Sequence, residues 1–387
     1  MDVIAKPTAV LGLDVGKQSH WACLLTREGE VIANHPVANR ETALAELFSR
    51  LDPGTLVVVD QVRNIGALAI RCAREAGLDV AYLTGLAEHN AAKLLPGDAK
   101  TDERDASVIA QTAMAMPAAL LSCPKADEIM DAARDLAAQR DFVVADSTRA
   151  RNRLRAILFE SCPAFEQVID LSATWCLNLA EKLGGPWQVA DASASEVGAL
   201  TRGADRRKVT ELVESTSGSK RPPEAVVAAE GRSARMLARR IREDAAEASE
   251  LDEEISCLLA EDETYRCLLT IPGIGTRTAS ELAIGIDISL FRGGDRLASY
   301  CGLAPCDKRS GTSISSVTAS RQGNKRLKNL LIFSCNSIVR SDNRFGRYYR
   351  MLREKRHMPH GKALKATARK RLKVIYAIMR DRVPYTA

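Results

Sequence analysis

The chain has 387 residues, and its 46% hydrophobic and 27% charged fractions are typical of a folded globular protein of two or three domains. Its net charge of +6 is unevenly spread, since residues 317–387 hold nineteen Lys and Arg against three acidic residues, which leaves 36 basic and 46 acidic residues before them. No apolar run approaches the roughly 18 residues of a membrane span, no signal peptide precedes the first strand, and the ten cysteines lack zinc spacing, so we expect a reduced cytoplasmic protein without a membrane partner.

The first hundred residues alternate between predicted strands and helices. Apolar and β-branched runs predict strands at 9–14, 21–26, 31–37, 55–59 and 78–83, and helical spacing predicts helices at 41–51, 66–76 and 86–95. Three strands joined by hairpins, followed by alternating helix and strand, predict a mixed α/β sheet. This order matches the ribonuclease-H-like fold, in which the first strand is central and the fourth lies beside it.

Four aspartates fall at sequence positions that such a sheet brings together. Asp14 and Asp60 end the first and fourth strands, and the carboxyl ends of neighbouring strands form one cleft. Asp102 and Asp105 lie three residues apart at the start of a predicted helix, so they share one helix face. Carboxylates crowded in this way repel one another unless a cation neutralises them, and oxygen ligands favour Mg²⁺ or Mn²⁺. Taken singly, each aspartate also fits an ordinary role at a turn, a strand end or a helix N-terminus.

The middle of the chain is dominated by two long predicted helices, at 127–162 and 224–262. Both keep the alternating spacing of four and three residues that is typical of a coiled coil. They either pair with each other as an antiparallel hairpin or pair with another subunit. The insert between them, 163–223, is less regular, and its sequence indicates no role.

The C-terminal part begins with a Pro-Gly-x-Gly turn at 272–275 and ends in basic helices. Such a turn between two helices is typical of a helix-hairpin-helix element, whose backbone amides can approach a phosphate. The basic segment 317–387 predicts a nucleic-acid partner, although a solvated helical surface is the ordinary alternative. An aromatic fraction of 4% argues against a single-strand binder that works mainly by stacking.

Seven motifs in order carry a resemblance to a known family: GLDVGK (12–17), VVVDQ (57–61), KTDERDA (100–106), IPGIG (271–275), YCGLAP (300–305), RSGTS (309–313) and GNKRLK (323–328). With them the chain resembles the DEDD insertion-sequence transposases, which are bridge-RNA-guided serine recombinases with an N-terminal domain similar to the resolvase RuvC. The resemblance implies a RuvC-like catalytic domain at 1–118, a helical coiled-coil region at 119–263, and a mostly α-helical C-terminal domain at 264–387.

The resemblance also implies which residues act. Asp14, Asp60, Asp102 and Asp105 would bind Mg²⁺ or Mn²⁺, with Asp60 in a place where the family often has Glu. Ser310 would be the nucleophile that forms a phosphoserine intermediate, with Ser313 or Thr312 as less favoured substitutes. Basic residues near the serine and after it would contact nucleic acid: Lys308, Arg309, Lys325, Arg326 and Lys328.

The partners implied by the resemblance are donor DNA, target DNA and a structured non-coding guide RNA. A homo-oligomer, from dimer to tetramer, is expected at the bacterial nucleoid, with the active site assembled either within one protomer or between two. A metal-dependent nuclease or resolvase without a covalent intermediate is the nearest alternative. An actin-like or sugar-kinase ATPase is disfavoured because a second Asp-x-Gly phosphate loop is missing, and a non-catalytic RNA-binding scaffold stays open.

Overall fold

A computed structural model of the chain describes residues 7–62, 64–94, 101–123, 127–310, 314–319 and 323–386. These residues form two compact units. One comprises the described residues of Met1–Ala126 together with Asp287–Gly293, and the other comprises those of Asp127–Ile286 and Gly294–Ala387. The predicted middle and C-terminal regions thus fall in the second unit apart from 119–126 and 287–293, and the three-domain boundaries stay a prediction.

The first unit contains a six-stranded mixed sheet in the order β3-β2-β1-β4-β5-β6. The central strand β1 pairs antiparallel with β2 and parallel with β4, as the sequence predicted. The short edge strand β6 was not predicted. The elements are β1 (Ala9–Asp14), β2 (Ser19–Thr26), β3 (Val31–Ala38), α1 (Glu41–Ser49), β4 (Thr55–Val59), α2 (Ala67–Glu75), β5 (Asp79–Tyr82), α3 (Gly85–Ala92), α4 (Asp102–Ala115) and β6 (Leu121–Ser122).

Helices cover both faces of this sheet. Because side chains alternate along a strand, Leu11 and Leu13 of β1 pack with α1 and α2 in one apolar core. Val10 of β1 and Val58 of β4 pack with α4 in a second core on the opposite face. Residues of β1 and β4 with even numbers therefore face α4.

Gly12 allows α4 to lie directly against β1. A Cβ atom at Gly12 would stand 2.5 Å from the carbonyl oxygen of Ala106 and 2.6 Å from the nitrogen of Ala110. Both are backbone atoms of α4 that cannot rotate away. The small residues of the helix and the glycine of the strand together set the distance between these two elements.

The second unit is helical apart from one hairpin. Its long helices α5 (Glu128–Ser161) and α11 (Glu224–Leu258) pack along each other. They run antiparallel, since Arg140 pairs with Asp252, whereas Asp146, further along α5, pairs with Arg240, earlier along α11. The predicted seam residues of α5 are largely buried, including the polar Arg140 and Ser147.

The insert between the long helices forms a small helical layer. It comprises α6 (Pro163–Val168), α7 (Thr174–Lys182), α8 (Pro186–Asp191), α9 (Ala194–Leu200) and α10 (Arg206–Glu214). Phe165 and Trp187 join the apolar core that these helices share with the adjoining ends of α5 and α11. The insert therefore closes the end of the long helical pair, which the sequence did not reveal.

The C-terminal elements follow. They are α12 (Glu263–Leu269), α13 (Thr276–Gly285), α14 (Gly294–Tyr300), β7 (Pro305–Ser310), β8 (Ile314–Ala319), α15 (Lys325–Phe333), α16 (Cys335–Ile338), α17 (Arg344–Glu354) and α18 (His360–Asp381). The turn between α12 and α13 places Gly273 at φ +72°, a conformation that favours glycine. Arg371 of α18 is buried and donates hydrogen bonds to the carbonyl oxygens of Pro272 and Ser334, which ties this turn to the C-terminal helices.

The cysteines and the helix lengths bear on two of the expectations drawn from composition. The nine cysteines whose side chains the structure describes are all unpaired, and eight of these nine are buried. None of the helices that the structure describes is long and apolar enough to span a membrane.

Candidate active site

Asp14 and Asp60 leave the sheet side by side. Leu13 of β1 pairs in parallel register with Val59 of β4. Asp14 directly follows Leu13, and Asp60 directly follows Val59. By the alternation of side chains, both face the side of the sheet that α4 covers. The backbone N–H of Val15 donates to Asp60 Oδ1 at 3.2 Å, which holds the second carboxylate beside the chain that leaves the first.

Helix α4 brings the other two aspartates to the same edge. Thr101 caps the helix, with its hydroxyl accepting from the N–H of Arg104 at 3.3 Å, so Asp102 and Asp105 both lie in the first turn. Since α4 contacts Gly12 through Ala106, its first turn lies beside the carboxyl end of β1. The N-terminal end of a helix is also where acidic side chains are electrostatically favoured.

The other three aspartates lie close enough to Asp14 for their charges to act on its carboxyl group. Burial and the charges of Asp60, Asp102 and Asp105 raise the pKa of Asp14 to about 7, with burial contributing most. The pKa of Asp60 is also raised, chiefly by burial, although the hydrogen bond from Val15 opposes the shift. A carboxyl group that resists ionisation in this way is poised to accept a cation in place of a proton.

A fifth acid belongs to this neighbourhood. Glu88 on α3 also raises the pKa of Asp14, which places its charge near the cluster. Sequence reasoning missed Glu88 because it lies inside a short predicted helix rather than at the end of a strand. The usable signal was its position in the first turn of the helix that follows β5, the strand beside β4.

The loop that follows Asp14 is held by two polar side chains. His20 is buried, and its Nδ1 accepts from the N–H of Gly16 at 3.3 Å, while Asn39 donates to the carbonyl oxygens of Gly16 and Lys17. Burial lowers the pKa of His20, which keeps the ring neutral and able to accept. These bonds fix the chain leaving Asp14 and so restrict where its carboxylate points.

The donor set fits a divalent metal in its chemistry. Carboxylate oxygens are the ligands that Mg²⁺ and Mn²⁺ prefer. Within the described ranges, no three His, Cys, Asp or Glu side chains converge closely enough to ligate one ion as they stand. Binding an ion at Asp14, Asp60, Asp102 and Asp105 therefore requires their side chains to rotate toward one another.

Ser310 lies in the second unit, at the end of β7. The sequence predicted a loop at 308–313, but Lys308, Arg309 and Ser310 belong to a strand that pairs antiparallel with β8, with Ser310 opposite Ile314. The β-branched residues of β8 favour this pairing. The substitutes Thr312 and Ser313 lie outside the described residues, as do the side chains of Lys308, Arg309 and Ser310.

The predicted cations of α15 differ in their surroundings. Lys325, Arg326 and Lys328 occupy its first turn, which Asn324 caps. Arg326 is engaged by carboxylates of its own unit, Asp141 and Glu281, so its guanidinium is already neutralised. Lys325 is exposed. Arg326 is thus less available to nucleic acid than Lys325.

Comparison with known proteins identifies the family. A DEDD model of the IS110 type, described as a transposase, matches residues 11–163, and one described as the transposase IS116/IS110/IS902 family matches residues 265–350. An uncharacterized 43.6 kDa protein of insertion element IS110 from Streptomyces coelicolor is 35% identical over 383 residues, which cover 96% of this chain and 94% of that protein. The chain belongs to the IS110 family of DEDD transposases.

Other relatives agree with this family. An uncharacterized 42 kDa protein of insertion element IS900 from Mycobacterium paratuberculosis is 28% identical and covers 97% of this chain and 96% of its own. A pilin gene-inverting protein from Moraxella bovis is 35% identical over 139 residues, 34% of this transposase and 41% of that protein. As an IS110-family transposase, the chain is an enzyme that acts on DNA. The aspartates at 14, 60, 102 and 105 all fall within the part that the DEDD model matches.

Proposed function

We propose that this transposase is an RNA-guided DNA recombinase, which cuts and rejoins donor and target DNA with an aspartate tetrad and a serine nucleophile. The observation that carries the proposal is the meeting of Asp14, Asp60, Asp102 and Asp105 at one edge of a ribonuclease-H-like sheet in an IS110-family chain. Besides burial, the charges of Asp60, Asp102 and Asp105 each raise the pKa of Asp14, which supports a common site. The tetrad is supported by geometry and electrostatics, and the serine by the family resemblance.

In this proposal the tetrad holds Mg²⁺ or Mn²⁺. When bound, such ions polarise the scissile phosphate and stabilise charge on the attacking and leaving oxygens. The chain's own part is to aim carboxylates from β1, β4 and α4 at one place, and to keep Asp14 oriented through the loop that His20 and Asn39 hold. Asp60 is one methylene shorter than glutamate, so it relies on the hydrogen bond from Val15 for its position.

Ser310 is the proposed nucleophile. Its Oγ forms a bond to the scissile phosphorus as the bond from phosphorus to the 3′ oxygen breaks; the serine loses its proton and the departing oxygen gains one. The number of phosphodiester bonds is unchanged, so a new 3′-hydroxyl can reverse the step without ATP. Because Ser310 and the tetrad belong to separate units, we propose that they meet in an oligomer, a dimer or a tetramer, either within a protomer or between protomers.

Nucleic-acid binding is proposed for the basic C-terminal segment. Lys325 and Lys328 lie in the first turn of α15, where the helix dipole disfavours cations, so an anionic partner would offset this cost. Lys308, Arg309 and the turn at 272–275 are proposed to contact phosphates as well. A structured guide RNA that pairs with both DNAs would select the DNA sequences at the nucleoid, since the sequence of the basic segment indicates no base-specific contacts.

A metal-dependent nuclease or resolvase is the alternative, and Ser310 separates the two. We expect Ser310→Ala to abolish strand exchange and the covalent protein–DNA adduct in a reconstituted reaction with donor DNA, target DNA and RNA. Ser316→Ala, in the partner strand of the same hairpin, serves as the matched control and should retain both. Undiminished cleavage by Ser310→Ala with no adduct in the wild type would favour the nuclease.

RNA guidance has its own test. The protein is purified from its host with bound nucleic acid, and the RNA that accompanies it is sequenced. We expect one discrete structured RNA encoded next to the transposase gene. Random RNA, or none, would contradict guidance while leaving the catalytic proposal standing.

A further inference from the structure

A cavity of about 630 Å³ lies in the second unit, where the turn before α13 meets the C-terminal helices. Its lining includes Gly273, Phe333, Asn336, Arg340, Tyr349 and His360. This volume is within the range of sites that take small molecules or single nucleotides. None of the described residues that line it is acidic.

Ring side chains give the cavity a stacking surface. Phe333, the last residue of α15, has 75% of its surface exposed, the largest apolar exposure in this part of the unit. The Tyr349 hydroxyl lies 2.6 Å from Nδ1 of His360, and the two rings meet edge to face at 5.9 Å. This bond joins the start of α18 to α17 and fixes both rings. Exposed aromatic faces of this kind stack with unpaired bases.

Polar groups at the cavity are free to bind a ligand. Arg340 and Asn336 are exposed, and neither has a hydrogen-bond or ion-pair partner within the part of the chain that the structure describes. A guanidinium binds phosphate through paired hydrogen bonds, and a side-chain amide can both donate to and accept from a base edge.

The surroundings of the cavity attract a polyanion. His360 follows an exposed basic stretch, and α18 adds further exposed cations. Unlike Arg326, these side chains have no acidic partner among the described residues: Lys355, Arg356, Lys362 and Lys365. A nucleic-acid backbone that passes along this surface would bring its bases to the cavity mouth.

We propose that this cavity holds one unstacked nucleotide of a single strand, with its base on Phe333 and its phosphate on Arg340. The inference deepens the proposed function, on which it rests for a nucleic-acid partner, by naming an unpaired segment as the ligand. A duplex is disfavoured because its bases are already stacked on each other. Although aromatic residues are sparse in the whole chain, the rings gathered here make this cavity a local exception.

The test uses the full-length protein and short oligonucleotides that carry the fluorescent base 2-aminopurine, as single-stranded RNA, single-stranded DNA and duplex DNA. We expect Phe333→Ala to weaken single-strand binding about 10-fold and to abolish the quenching that reports stacking, while Phe333→Tyr retains both. Phe159→Ala, which removes a ring with 54% exposure from α5, is the matched control and should behave as the wild type. If Phe333→Ala loses binding and quenching only with single-stranded RNA, or only with single-stranded DNA, that result identifies the kind of strand that the cavity holds.

Three results would overturn the proposal: a wild type that binds no single strand, a Phe333→Ala variant that binds and quenches as the wild type does, or one that changes only the oligomeric state in solution. The last would make Phe333 a contact between copies. Strand exchange is measured on the same preparations. If Phe333→Ala carries out strand exchange and binds single strands as the wild type does, only the cavity proposal is refuted. If the wild type shows Phe333-dependent stacking but neither strand exchange nor a covalent adduct, only the recombinase proposal is refuted.

Discussion

Gly12 shows how a single residue positions the candidate active site. It precedes Asp14 by two residues on the same face of β1, and its missing side chain lets α4 approach close enough for Asp102 and Asp105 to join the cluster. The sequence places Gly12 in a strand, where glycine is otherwise unfavourable, and at the start of the motif GLDVGK, but does not indicate which element it contacts. Its role depends on a helix ninety residues later in the chain.

We expect Gly12→Ala to push α4 away from β1. The added methyl group meets backbone atoms, so overpacking should lower the free energy of unfolding by about 1–3 kcal/mol and should greatly reduce strand exchange. Urea unfolding and an exchange assay measure the two effects. Gly85→Ala at the start of α3, where a Cβ has no neighbour within 4 Å, is the control; equal behaviour of the two variants would refute the close-approach role.

The raised pKa of Asp14 should make the stability of the metal-free protein depend on pH. Burial and its acidic neighbours raise its pKa to about 7, so in the metal-free protein the folded state holds a proton that the unfolded state releases near pH 4. Folding stability contributed by this proton is therefore present at low pH and is lost as the pH rises through about 7.

We expect Asp14→Asn to abolish strand exchange yet raise the free energy of unfolding at about pH 8 by about 1–2 kcal/mol, a modest gain because solvent screens a half-buried carboxylate. The gain should shrink below pH 7, where the wild-type carboxyl is protonated. Added Mg²⁺ should stabilise the wild type and not the variant. Urea unfolding with and without Mg²⁺ checks this, with exposed Asp79→Asn as control. Destabilisation of Asp14→Asn at both pH values would contradict it.

At the scale of elements, local pattern predicted most of the first unit. The runs at 9–14 and 55–59 match β1 and β4 residue for residue, and the other predicted strands differ by one or two residues at their ends. The hairpin of β7 and β8 was missed because lysine, arginine and serine in β7 carry no strand signal of their own, and the pairing of the two strands supplies it. The insert helices were missed because each is too short to show a period before Phe165 and Trp187 bury it against its neighbours.

Arg371 is the polar anchor of the C-terminal elements. It has 1% of its surface exposed, and its guanidinium donates to Ser334, through both the carbonyl and the hydroxyl oxygen, and to Pro272. Burial lowers the pKa of Arg371. Arg371 is one of the nineteen basic residues of 317–387 that predicted a polyanion partner, whereas the structure places it inside the unit.

We expect Arg371→Met to lower the free energy of unfolding by about 1–3 kcal/mol, because its hydrogen bonds to the buried Ser334 and to the half-buried Pro272 carbonyl are lost, while the cost of a buried charge is also removed. The turn at Gly273 should loosen first, which hydrogen exchange of its amides can detect. Lys365→Met, on an exposed position of the same helix, should change stability by less than about 0.5 kcal/mol. If the two substitutions had equal effects, Arg371 would not anchor the turn.

At the scale of the whole molecule, family membership and sequence pattern together predicted an acidic site in the first unit and a basic segment in the second. The positions of Asp14 and Asp60 after two neighbouring strands, and of Asp102 and Asp105 in the first turn of one helix, could be predicted because strand ends and helix faces follow from short-range periodicity. Glu88 was missed although its place in the first turn of α3 was a usable signal, whereas the cavity beside Gly273 could not be predicted, since it is made by elements far apart in sequence. The net basic charge of the C-terminal segment was also an incomplete guide, because Arg326 and Arg371 are used within the protein.

The central claim is that the aspartate tetrad and Ser310 act together through a covalent intermediate. The most direct measurement traps that intermediate on a DNA substrate in which the short strand that ends in the released 3′-hydroxyl diffuses away after cleavage, and maps the modified peptide by mass spectrometry. The account predicts a DNA adduct on Ser310 that requires Mg²⁺ or Mn²⁺ and is lost in Asp105→Asn. Metal-dependent cleavage that leaves free 5′-phosphate ends and no adduct on any residue would contradict it.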